Sequence, residues 1–220
     1  RPDFLDGFRT RKGVKTDHFL KGSVYERFRH IYSSHSWISA EDQQSLSGLG
    51  SDLSSTTNIR QFLPLLIEYL NISNLIDVGC GDWTWMRSIK LPCKYLGIDI
   101  VEGVIESNQM FSSDNIRFEC MNAIIEPIPY AEAILCREIL FHLSLEDSLC
   151  LLRNIKQSSK YLFATTNDLW FNSDIRSGDF RNINLCRKPY GFPAPLISIS
   201  DTSVSPGRSM GVWLSSSLPL

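Results

Sequence analysis

The stretch Leu75–Met86, LIDVGCGDWTWM, decides how the rest of the chain is interpreted. An apolar run ends at Val78 and is followed by Gly79 and Gly81, which stand one residue apart. Glycine has no Cβ atom, so this pair allows the backbone to turn tightly and to approach a ligand closely. In open α/β sheets, ligands bind beyond the carboxyl ends of the strands. We therefore predict a ligand-binding turn after the first strand of such a sheet.

Further short apolar segments follow this stretch, separated by segments of about the length of a helix. They are KYLGIDI, IRFECM, EAILC and KYLFATT. This alternation is typical of parallel βαβ units. Beyond Thr166 the chain contains more proline and shorter apolar runs, which favour an antiparallel strand pair. We predict an α/β fold with a doubly wound, Rossmann-like, seven-stranded sheet that is mostly parallel, with an antiparallel C-terminal strand pair and helices on both faces.

The length and composition favour one domain. The chain has 220 residues, of which 43% are hydrophobic and 21% are charged, as in an ordinary globular protein. We predict a single domain over residues 1–220, with an N-terminal helical extension and lid at 1–58 and a catalytic core at 59–220.

Two helices are predicted before the first strand. The segment Val24–Trp37 carries apolar and aromatic residues at spacings of three and four. The segment IRQFLPLLIEYL has the same period, and we expect its helix to be bent at Pro64 or to begin there. Trp37 and Arg60 are candidate residues for a lid over the ligand.

Charge and cysteine usage exclude several classes of protein. The net charge of -2 does not suit a surface that follows a phosphate backbone, so we expect no nucleic-acid partner. No apolar run approaches the ~18 residues of a membrane span. The six cysteines lie far apart, without a C-x-x-C pair or zinc-ligand spacing. We predict reduced thiols, no metal site and a cytoplasmic location, although the sequon at Asn71 weakly favours secretion.

A second motif indicates the kind of ligand. Asp99 follows Gly79 by 20 residues, at which distance an acidic side chain accepts hydrogen bonds from the ribose of a nucleoside. The third small residue of a dinucleotide-binding turn is replaced by Thr84, and Asp82 would repel a pyrophosphate. Acidic surroundings favour a ligand that bears an ammonium and a sulfonium. An NAD-type oxidoreductase is therefore the disfavoured enzyme class.

The sequence resembles class I S-adenosylmethionine-dependent methyltransferases, whose first motif is an acidic residue followed by G-x-G. DVGCGDW matches that motif, and the resemblance extends from Leu75 to about Thr166. The segments SSHSW, SSTTNIRQFLP, CREILFHLSLED, GDFRNINL and MGVWL look like a subgroup associated with glycan-building systems. The resemblance implies S-adenosyl-L-methionine as cofactor and O-methylation of a sugar or oligosaccharide. A small-molecule or protein acceptor and a non-catalytic binding module are the alternatives.

The resemblance also assigns residues to the cofactor. Asp77 and the two glycines would line its methionine part, Asp99 would hold the ribose hydroxyls, and Ile100 would lie against the adenine. Asn122 stands where the family commonly has an acidic residue facing the adenine amino group, and an amide carbonyl can accept the same hydrogen bond. The predicted set is Asp77, Gly79, Cys80, Gly81, Trp83, Asp99, Ile100, Asn122, Ala123 and Cys136. Because the chain begins at Arg1, we also expect it to be one domain of a longer glycan-assembling polypeptide.

The catalytic candidates follow the fourth predicted strand. A hydroxyl acceptor needs a base, and His142 is the first choice because the ordinary pKa of histidine lies near neutral pH. Glu138 is the second choice, and we expect it to share a helical face with His142. Arg137 is expected to pair with Glu138 or to bind an acidic acceptor.

Three further side chains have expected roles. Cys136 belongs to an apolar strand, and packing is expected there rather than nucleophilic attack. Tyr190 and Phe192 lie in the proline-rich segment KPYGFPAP, where their rings would either stack on the apolar face of a sugar or belong to a structural loop before the last strands.

Overall fold

The computed structural model of the chain describes residues 22–38, 43–203 and 205–220. The helices are α1 (Val24–Ser33), α2 (Thr57–Tyr69), α3 (Glu102–Asn108) and α4 (Leu145–Ser158). The strands are β1 (Asn74–Val78), β2 (Lys94–Asp99), β3 (Ile116–Cys120), β4 (Ala131–Cys136), β5 (Ser159–Asn167), β6 (Ile197–Ser200) and β7 (Arg208–Leu214). Short 3₁₀ helices lie at Leu49–Ser51, Met86–Ser88, Gln109–Phe111, Ile139–His142 and Ser215–Ser217. Within the described ranges, no helix is both long and apolar enough to cross a bilayer.

The strands form one seven-stranded sheet in the order β3-β2-β1-β4-β5-β7-β6. Strands β1 to β5 run parallel, whereas β7 pairs antiparallel with both β5 and β6. Strand order reverses between β1 and β4, so the connections that leave these strands diverge and open a crevice at their carboxyl ends. The predicted fold class is confirmed.

Apolar side chains cover both faces of the sheet. Helices α1 and α4 bury residues such as Phe28 and Leu152 in a cluster on one face, which we call the cleft face. Helix α2 buries Ile59, Leu63 and Ile67 in a cluster on the opposite face. These three residues are fully buried, and each contributes roughly 1.5–3 kcal/mol through removal of apolar surface from water. The helical periodicity of the sequence thus places each helix on the sheet.

Helix boundaries differ from the predicted ones. Helix α1 ends at Ser33 and does not reach Trp37, because the Ser34 hydroxyl donates to the His30 carbonyl and His35 takes a left-handed φ of 55°. Helix α2 begins at Thr57 rather than at the proline, and Pro64 lies inside it. Serine and histidine here end a helix whose apolar pattern continues, since local side-chain bonds compete with the helical ones.

The crossover connections also differ from a regular alternation of strands and helices. In the described part of the chain, β1 connects to β2 through the short 3₁₀ helix Met86–Ser88, and no α-helix separates β3 from β4. The long connection between β5 and β6, residues 168–196, contains no helix either. The connection 168–196 leaves the carboxyl end of β5, and its Phe180 ring contacts the His142 imidazole near the crevice.

Gly211 provides a test of the packing of β7. A Cβ atom at this position would overlap the ring of Trp213, which is fully buried and cannot yield. We expect Gly211→Ala to lower the free energy of unfolding by roughly 1–3 kcal/mol in urea denaturation. Gly103→Ala is the matched control, because a Cβ there meets no atom within 4 Å and lies in helix α3. The control should be neutral or stabilising by up to ~1 kcal/mol, and equal losses in both variants would contradict this account.

Candidate cofactor and acceptor cleft

A cleft lies at the carboxyl ends of β1, β2 and β4, beneath helix α1. Its lining is mostly apolar, with a few polar side chains that converge on the crevice between β1 and β4. The polar members are Tyr32, Ser47, Ser51, Asp99, Asn122, Arg137, Glu138 and His142. Such a combination is the usual composition of a small-molecule site.

The turn after β1 is held by the end of β2. The backbone N–H groups of Gly79 and Cys80 both donate to the Ile98 carbonyl, at 2.8 and 3.1 Å. Gly79 and Gly81 have φ values of 73° and 57°, which residues other than glycine rarely adopt. A Cβ atom at Gly81 would also overlap the Ser47 hydroxyl. Glycine is therefore required at both positions.

Asp99 joins this turn to the second strand. Its Oδ2 accepts the Gly81 N–H at 3.1 Å and its Oδ1 accepts the Val101 N–H at 3.0 Å. Burial raises the pKa of Asp99 above its ordinary value, while these backbone N–H groups act in the opposite direction. A carboxylate has about four lone-pair sites, so both oxygens keep capacity for ribose hydroxyls.

The residues predicted to surround the adenine lie together along the cleft. Ile100, Asn122 and Ala123 all line it, next to Ile98 and Met121. The Asn122 side-chain carbonyl accepts the Ile124 N–H at 3.2 Å, which orients the amide in its own turn. The arrangement supplies apolar surface and one oriented amide.

Five residues of the predicted cofactor set do not line the cleft, namely Asp77, Cys80, Gly81, Trp83 and Cys136. Asp77 is 3% exposed and accepts the Tyr95 hydroxyl at 2.8 Å, because the alternation along β1 directs it to the face opposite Val78. Trp83 packs against aromatic rings of that opposite face, where Cys80 is also buried. Cys136 is buried in the cleft-face core.

The second tryptophan of the opening stretch, Trp85, is also a core residue, so neither ring covers the cleft. Burial raises the pKa of the Cys136 thiol well above its ordinary value, which agrees with packing rather than nucleophilic attack.

Two buried ion pairs lie beneath the cleft. Arg137 Nη2 is 3.0 Å from Asp201 Oδ2, and Arg137 Nη1 donates to the Gly50 carbonyl at 2.8 Å. Arg208 Nη1 donates to Glu138 Oε1 at 2.5 Å, whereas Arg137 Nη2 is 4.0 Å from the same oxygen. Arg137 was predicted to pair with Glu138 or to bind an acidic acceptor; the pair with Glu138 is present but long, and the short contacts of Arg137 are with Asp201 and the Gly50 backbone.

Glu138 occupies a strained position at the cleft floor. Its backbone is left-handed, with a φ of 68°, and its N–H donates to the Thr165 hydroxyl at 3.1 Å. Only 14% of its side chain is exposed. Non-glycine residues in this conformation cost of order 1 kcal/mol or more and concentrate at functional sites.

His142 lies at the end of the short 3₁₀ helix that follows Glu138. The two side chains both line the cleft but do not share an α-helical face, because Glu138 is left-handed and the helix covers only Ile139–His142. His142 Nδ1 lies 2.9 Å from the Asp179 carbonyl, which can only accept. The neutral imidazole therefore carries its proton on Nδ1 and its lone pair on Nε2.

The N-terminal segment forms the remaining wall. Phe28, Tyr32 and Trp37 line the cleft, whereas Arg60 donates to the Leu53 carbonyl and does not line it. The Tyr32 hydroxyl is 2.9 Å from the Ser47 hydroxyl, which accepts the backbone N–H of Asp82 next to the glycine turn.

Asp82 itself binds the segment ahead of that serine. Its carboxylate accepts the Leu46 N–H at 2.6 Å and the Ser45 hydroxyl at 3.0 Å. Sequence reasoning missed Ser47 and Ser51 as lining residues, and the only available signal was the short spacing of serine and glycine in SLSGLGS.

The aromatic residues predicted to stack on a sugar are buried. Tyr190 and Phe192 are 1% and 3% exposed, and the Tyr190 hydroxyl bonds to Ser148. The exposed aromatic pair of the neighbouring loop is instead Trp170 and Phe171, at 87% and 77%. Among the residues that the structure describes, no three His, Cys, Asp or Glu side chains are grouped to hold a metal ion.

Comparisons with solved structures identify the fold. The chain is similar to the PH0226 protein from Pyrococcus horikoshii OT3, with a TM-score of 0.53, 14% identity and coverage of 72% of this chain and 89% of that one. The chain is also similar to the methyltransferase domain of bacterial CtHen1-CN, with a TM-score of 0.51, 13% identity and coverage of 73% of this chain and 99% of that one. A third similar structure is the N-methyltransferase NodS from Bradyrhizobium japonicum WM9 in complex with S-adenosyl-L-homocysteine. Its TM-score is 0.49 and its identity 15%, with coverage of 66% of this chain and 74% of that one.

No protein-family model matches the sequence, and no curated protein matches it. The fold is thus the one seen in a methyltransferase domain, at sequence identities that establish the fold alone.

The burial of Asp77 predicts a pH-dependent stability. Burial raises the pKa of Asp77 to about 7. The folded state then binds this proton more tightly than the unfolded state, so the carboxyl increasingly destabilises the fold as pH rises from about 4 to about 7. We expect Asp77→Asn, which still accepts the Tyr95 hydroxyl, to be more stable than wild type by roughly 2–4 kcal/mol at pH 8 and similar at pH 4. Urea denaturation at both pH values, with exposed Asp114→Asn as control, measures this; a difference that does not change with pH would contradict it.

Proposed function

We propose that the protein is an S-adenosylmethionine-dependent O-methyltransferase that transfers a methyl group to a hydroxyl of a sugar or glycan. One observation carries the proposal. A single cleft at the carboxyl edge of a methyltransferase-type sheet contains the glycine turn, the Asp99 carboxylate and the His142 imidazole.

The residues of the cleft fit the proposed cofactor. Gly79 leaves a space that a Cβ atom would fill, since that atom would lie 3.1 Å from the Ile139 side chain. Asp99 offers carboxylate oxygens at the strand end, where the ribose hydroxyls would bind. Ile100 and Ala123 offer apolar surface for adenine. The carboxylate of Asp99 favours a cationic ligand beside it.

Methyl transfer to a hydroxyl needs alignment and a proton acceptor. When bound, S-adenosylmethionine supplies an electrophilic methyl group on a sulfonium centre. His142 Nε2 would accept the proton of the acceptor hydroxyl as that oxygen gains the methyl group, and the carbon–sulfur bond would break with its electron pair kept by the departing thioether sulfur. The Asp179 carbonyl accepts the Nδ1–H and keeps the imidazole in the tautomer that this step requires.

Glu138 orients the acceptor in this proposal. Its carboxylate faces the cleft and is held by Arg208, so it accepts a hydrogen bond from a second hydroxyl of the same substrate. Arg137 holds the Gly50 carbonyl and thereby fixes the backbone that lies against Glu138. Fixed partners of this kind reduce the reorganisation that the reaction needs.

Exposed aromatic rings support a carbohydrate acceptor. Trp170 and Phe171 follow β5, so they lie at the carboxyl edge of the sheet that also forms the cleft. Asn172 holds their loop through hydrogen bonds with the Asn184 carbonyl at 2.9 Å and the Asn184 N–H at 2.7 Å. Large exposed aromatic side chains on a fixed loop indicate a binding surface, and the apolar face of a pyranose suits them.

The cofactor assignment is tested by the binding of S-adenosylhomocysteine. We expect micromolar or tighter affinity in isothermal titration, and a loss of roughly 1–3 kcal/mol in Asp99→Ala through the missing charge-assisted hydrogen bonds. Exposed Glu102→Gln is the control for a general change of charge, and thermal denaturation shows whether each variant folds. Preferential binding of NAD, or unchanged affinity in folded Asp99→Ala, would refute the assignment.

The acceptor is tested by methyl transfer from labelled cofactor to a panel of oligosaccharides, small phenols, peptides and RNA. We expect label in the oligosaccharides, and a decrease in kcat of about a hundredfold or more in His142→Gln with little change in S-adenosylhomocysteine affinity. His35→Asn is the control, since His35 is exposed and left-handed and asparagine tolerates that backbone. Label confined to peptide or RNA would refute the sugar acceptor and leave the cofactor assignment intact.

A further inference from the structure

An exposed patch of aromatic and basic side chains lies on the connection between β5 and β6. Its aromatic members are Trp170 and Phe171, which are 87% and 77% exposed. Its basic members are Arg187 and Lys188, both of which are exposed as well. The guanidinium of Arg187 lies over the indole of Trp170, with Cζ at 5.7 Å from the ring centroid. We call these four residues the loop patch.

Asn172 joins the two halves of the loop patch. Its side-chain amide donates to the carbonyls of Asn184 and Lys188, both at 2.9 Å, and its side-chain oxygen accepts the Asn184 N–H at 2.7 Å. Asn184 in turn donates from its side chain to the Leu169 carbonyl at 2.7 Å. The backbone that carries Trp170 is thus held beside the backbone that carries Lys188. A surface that is held in this way loses less conformational entropy when a ligand binds.

The two cations of the loop patch have no carboxylate partner within the described ranges 22–38, 43–203 and 205–220. No Asp or Glu oxygen of those ranges lies within 4.0 Å of the charged nitrogen atoms of Arg187 or Lys188. Arg137 and Arg208, in contrast, are neutralised by carboxylates beneath the cleft. The guanidinium and the ammonium of the loop patch are therefore available to an anionic group of a ligand.

The connection that carries the loop patch also contacts the proposed base. The Asp179 carbonyl lies 2.9 Å from His142 Nδ1, and the centroid of the Phe180 ring lies 5.5 Å from that of the imidazole. Both residues stand between Trp170 and Arg187 in the chain. One connection thus contributes to the wall of the cleft and to the exposed patch beyond it.

We infer that the loop patch is a subsite for an acidic glycan, in which a sugar ring stacks on the aromatic side chains and a carboxylate or phosphate group binds Arg187 and Lys188. The inference rests on the proposed function and specifies the class of acceptor. Guanidinium groups match the geometry of carboxylate and phosphate oxygens. The anionic group belongs to a neighbouring sugar residue rather than to the methylated one, because the Asp99 carboxylate lines the cleft and repels an anion there. The acceptor is therefore an oligosaccharide of more than one residue.

Single-stranded nucleic acid and membrane surfaces also bind aromatic and basic side chains. The chain has a net charge of -2, and Asp168 and Asp174 are exposed on the same connection as the loop patch. A continuous row of phosphates would be repelled by these acidic side chains. A glycan with one anionic group needs contact with the two cations alone, so the distribution of charge favours the glycan.

Matched oligosaccharides test the subsite by isothermal titration, without cofactor or turnover. The β-1,4-linked tetramers of mannuronate and of mannose differ only in the carboxylate at C6, and mannotetraose that bears one 6-phosphate is the third probe. We expect at least one acidic probe to bind roughly threefold to tenfold more tightly than mannotetraose at about 20 mM NaCl. The difference should vanish at about 500 mM NaCl, because salt screens exposed charges. Equal affinity of all three probes at low salt would overturn the inference.

Arg187→Gln combined with Lys188→Gln should remove the preference for the acidic probe and leave the affinity for mannotetraose unchanged. The matched control is Arg117→Gln combined with Lys94→Gln, which removes the same two charges from exposed residues of β3 and β2. Trp170→Ala should weaken the binding of every probe by roughly threefold to tenfold, because the stacking surface serves each sugar. A preference that persists in the first variant, or that the control loses equally, would overturn the inference. Thermal denaturation shows whether each variant folds, and the salt dependence of the wild type needs no variant.

Methyl transfer separates the inference from the proposed function. For an acidic oligosaccharide that accepts label, we expect Arg187→Gln to raise KM roughly threefold to tenfold with little change in kcat, since Arg187 binds the acceptor away from the reacting atoms. Charge-dependent binding at the loop patch without label in any oligosaccharide would support the subsite and refute the proposed function. Label in neutral oligosaccharides, with no advantage for acidic ones, would overturn the inference alone. Tighter binding to oligouridylate or to phosphatidylglycerol vesicles than to either acidic oligosaccharide would also overturn it.

Discussion

The carboxylate of Asp99 fixes the geometry on which the cleft depends. It stands at the end of β2 and accepts the N–H of Gly81, which lies in the turn after β1. The side-chain amide of Asn108, at the end of α3, donates to the Gly81 carbonyl at 2.8 Å, so both polar groups of this peptide position are held by partners distant in sequence. Each partner is buried, where an unpaired polar group would cost about 1–3 kcal/mol. The turn is therefore held from two elements, β2 and α3.

Two ion pairs lie beneath the cleft. Arg137 and Arg208 neutralise Asp201 and Glu138, and three of the four side chains are almost fully buried. In other proteins, replacing a buried ion-pair network with apolar side chains is often neutral or stabilising. The network is therefore weak evidence that these four residues serve stability alone. Glu138 is the member that reaches the cleft, and its backbone is left-handed. The ion pair with Arg208 therefore holds a carboxylate in one orientation at the cleft floor.

The sequence predicted those features that depend on local pattern. Strand period, the glycine pair and the distance to Asp99 specify a parallel sheet with a ligand-binding turn, and the structure contains that sheet and that turn. The face of the sheet on which a given side chain lies was harder to predict. Trp83 follows the turn with a left-handed φ of 57°, which directs the ring to the core opposite the cleft. No helical periodicity describes a residue in that conformation.

Contacts between residues far apart in the chain could not be predicted from local sequence patterns. Asp201 and Arg208 meet their partners across 64 and 70 residues, because β6 and β7 return to the sheet beside β5. The predicted stacking role of Tyr190 and Phe192 failed for a related reason. Proline holds their segment extended, as the sequence indicates, but the direction of each ring depends on Ser148 and Trp213, which belong to other elements.

The segment 47–50 connects the glycine turn after β1 to the charged network beneath the cleft. Ser47 packs against Gly81 so closely that a Cβ atom there would overlap its hydroxyl, and the Gly50 carbonyl accepts a hydrogen bond from Arg137. One short segment thus contacts both the glycine turn and the charged network beneath the cleft. Displacement of this segment would loosen both halves of the cleft together, since the same backbone braces each. Residues of α1, together with Ser47 and Ser51, therefore line the same cleft as Gly79 and Asp99.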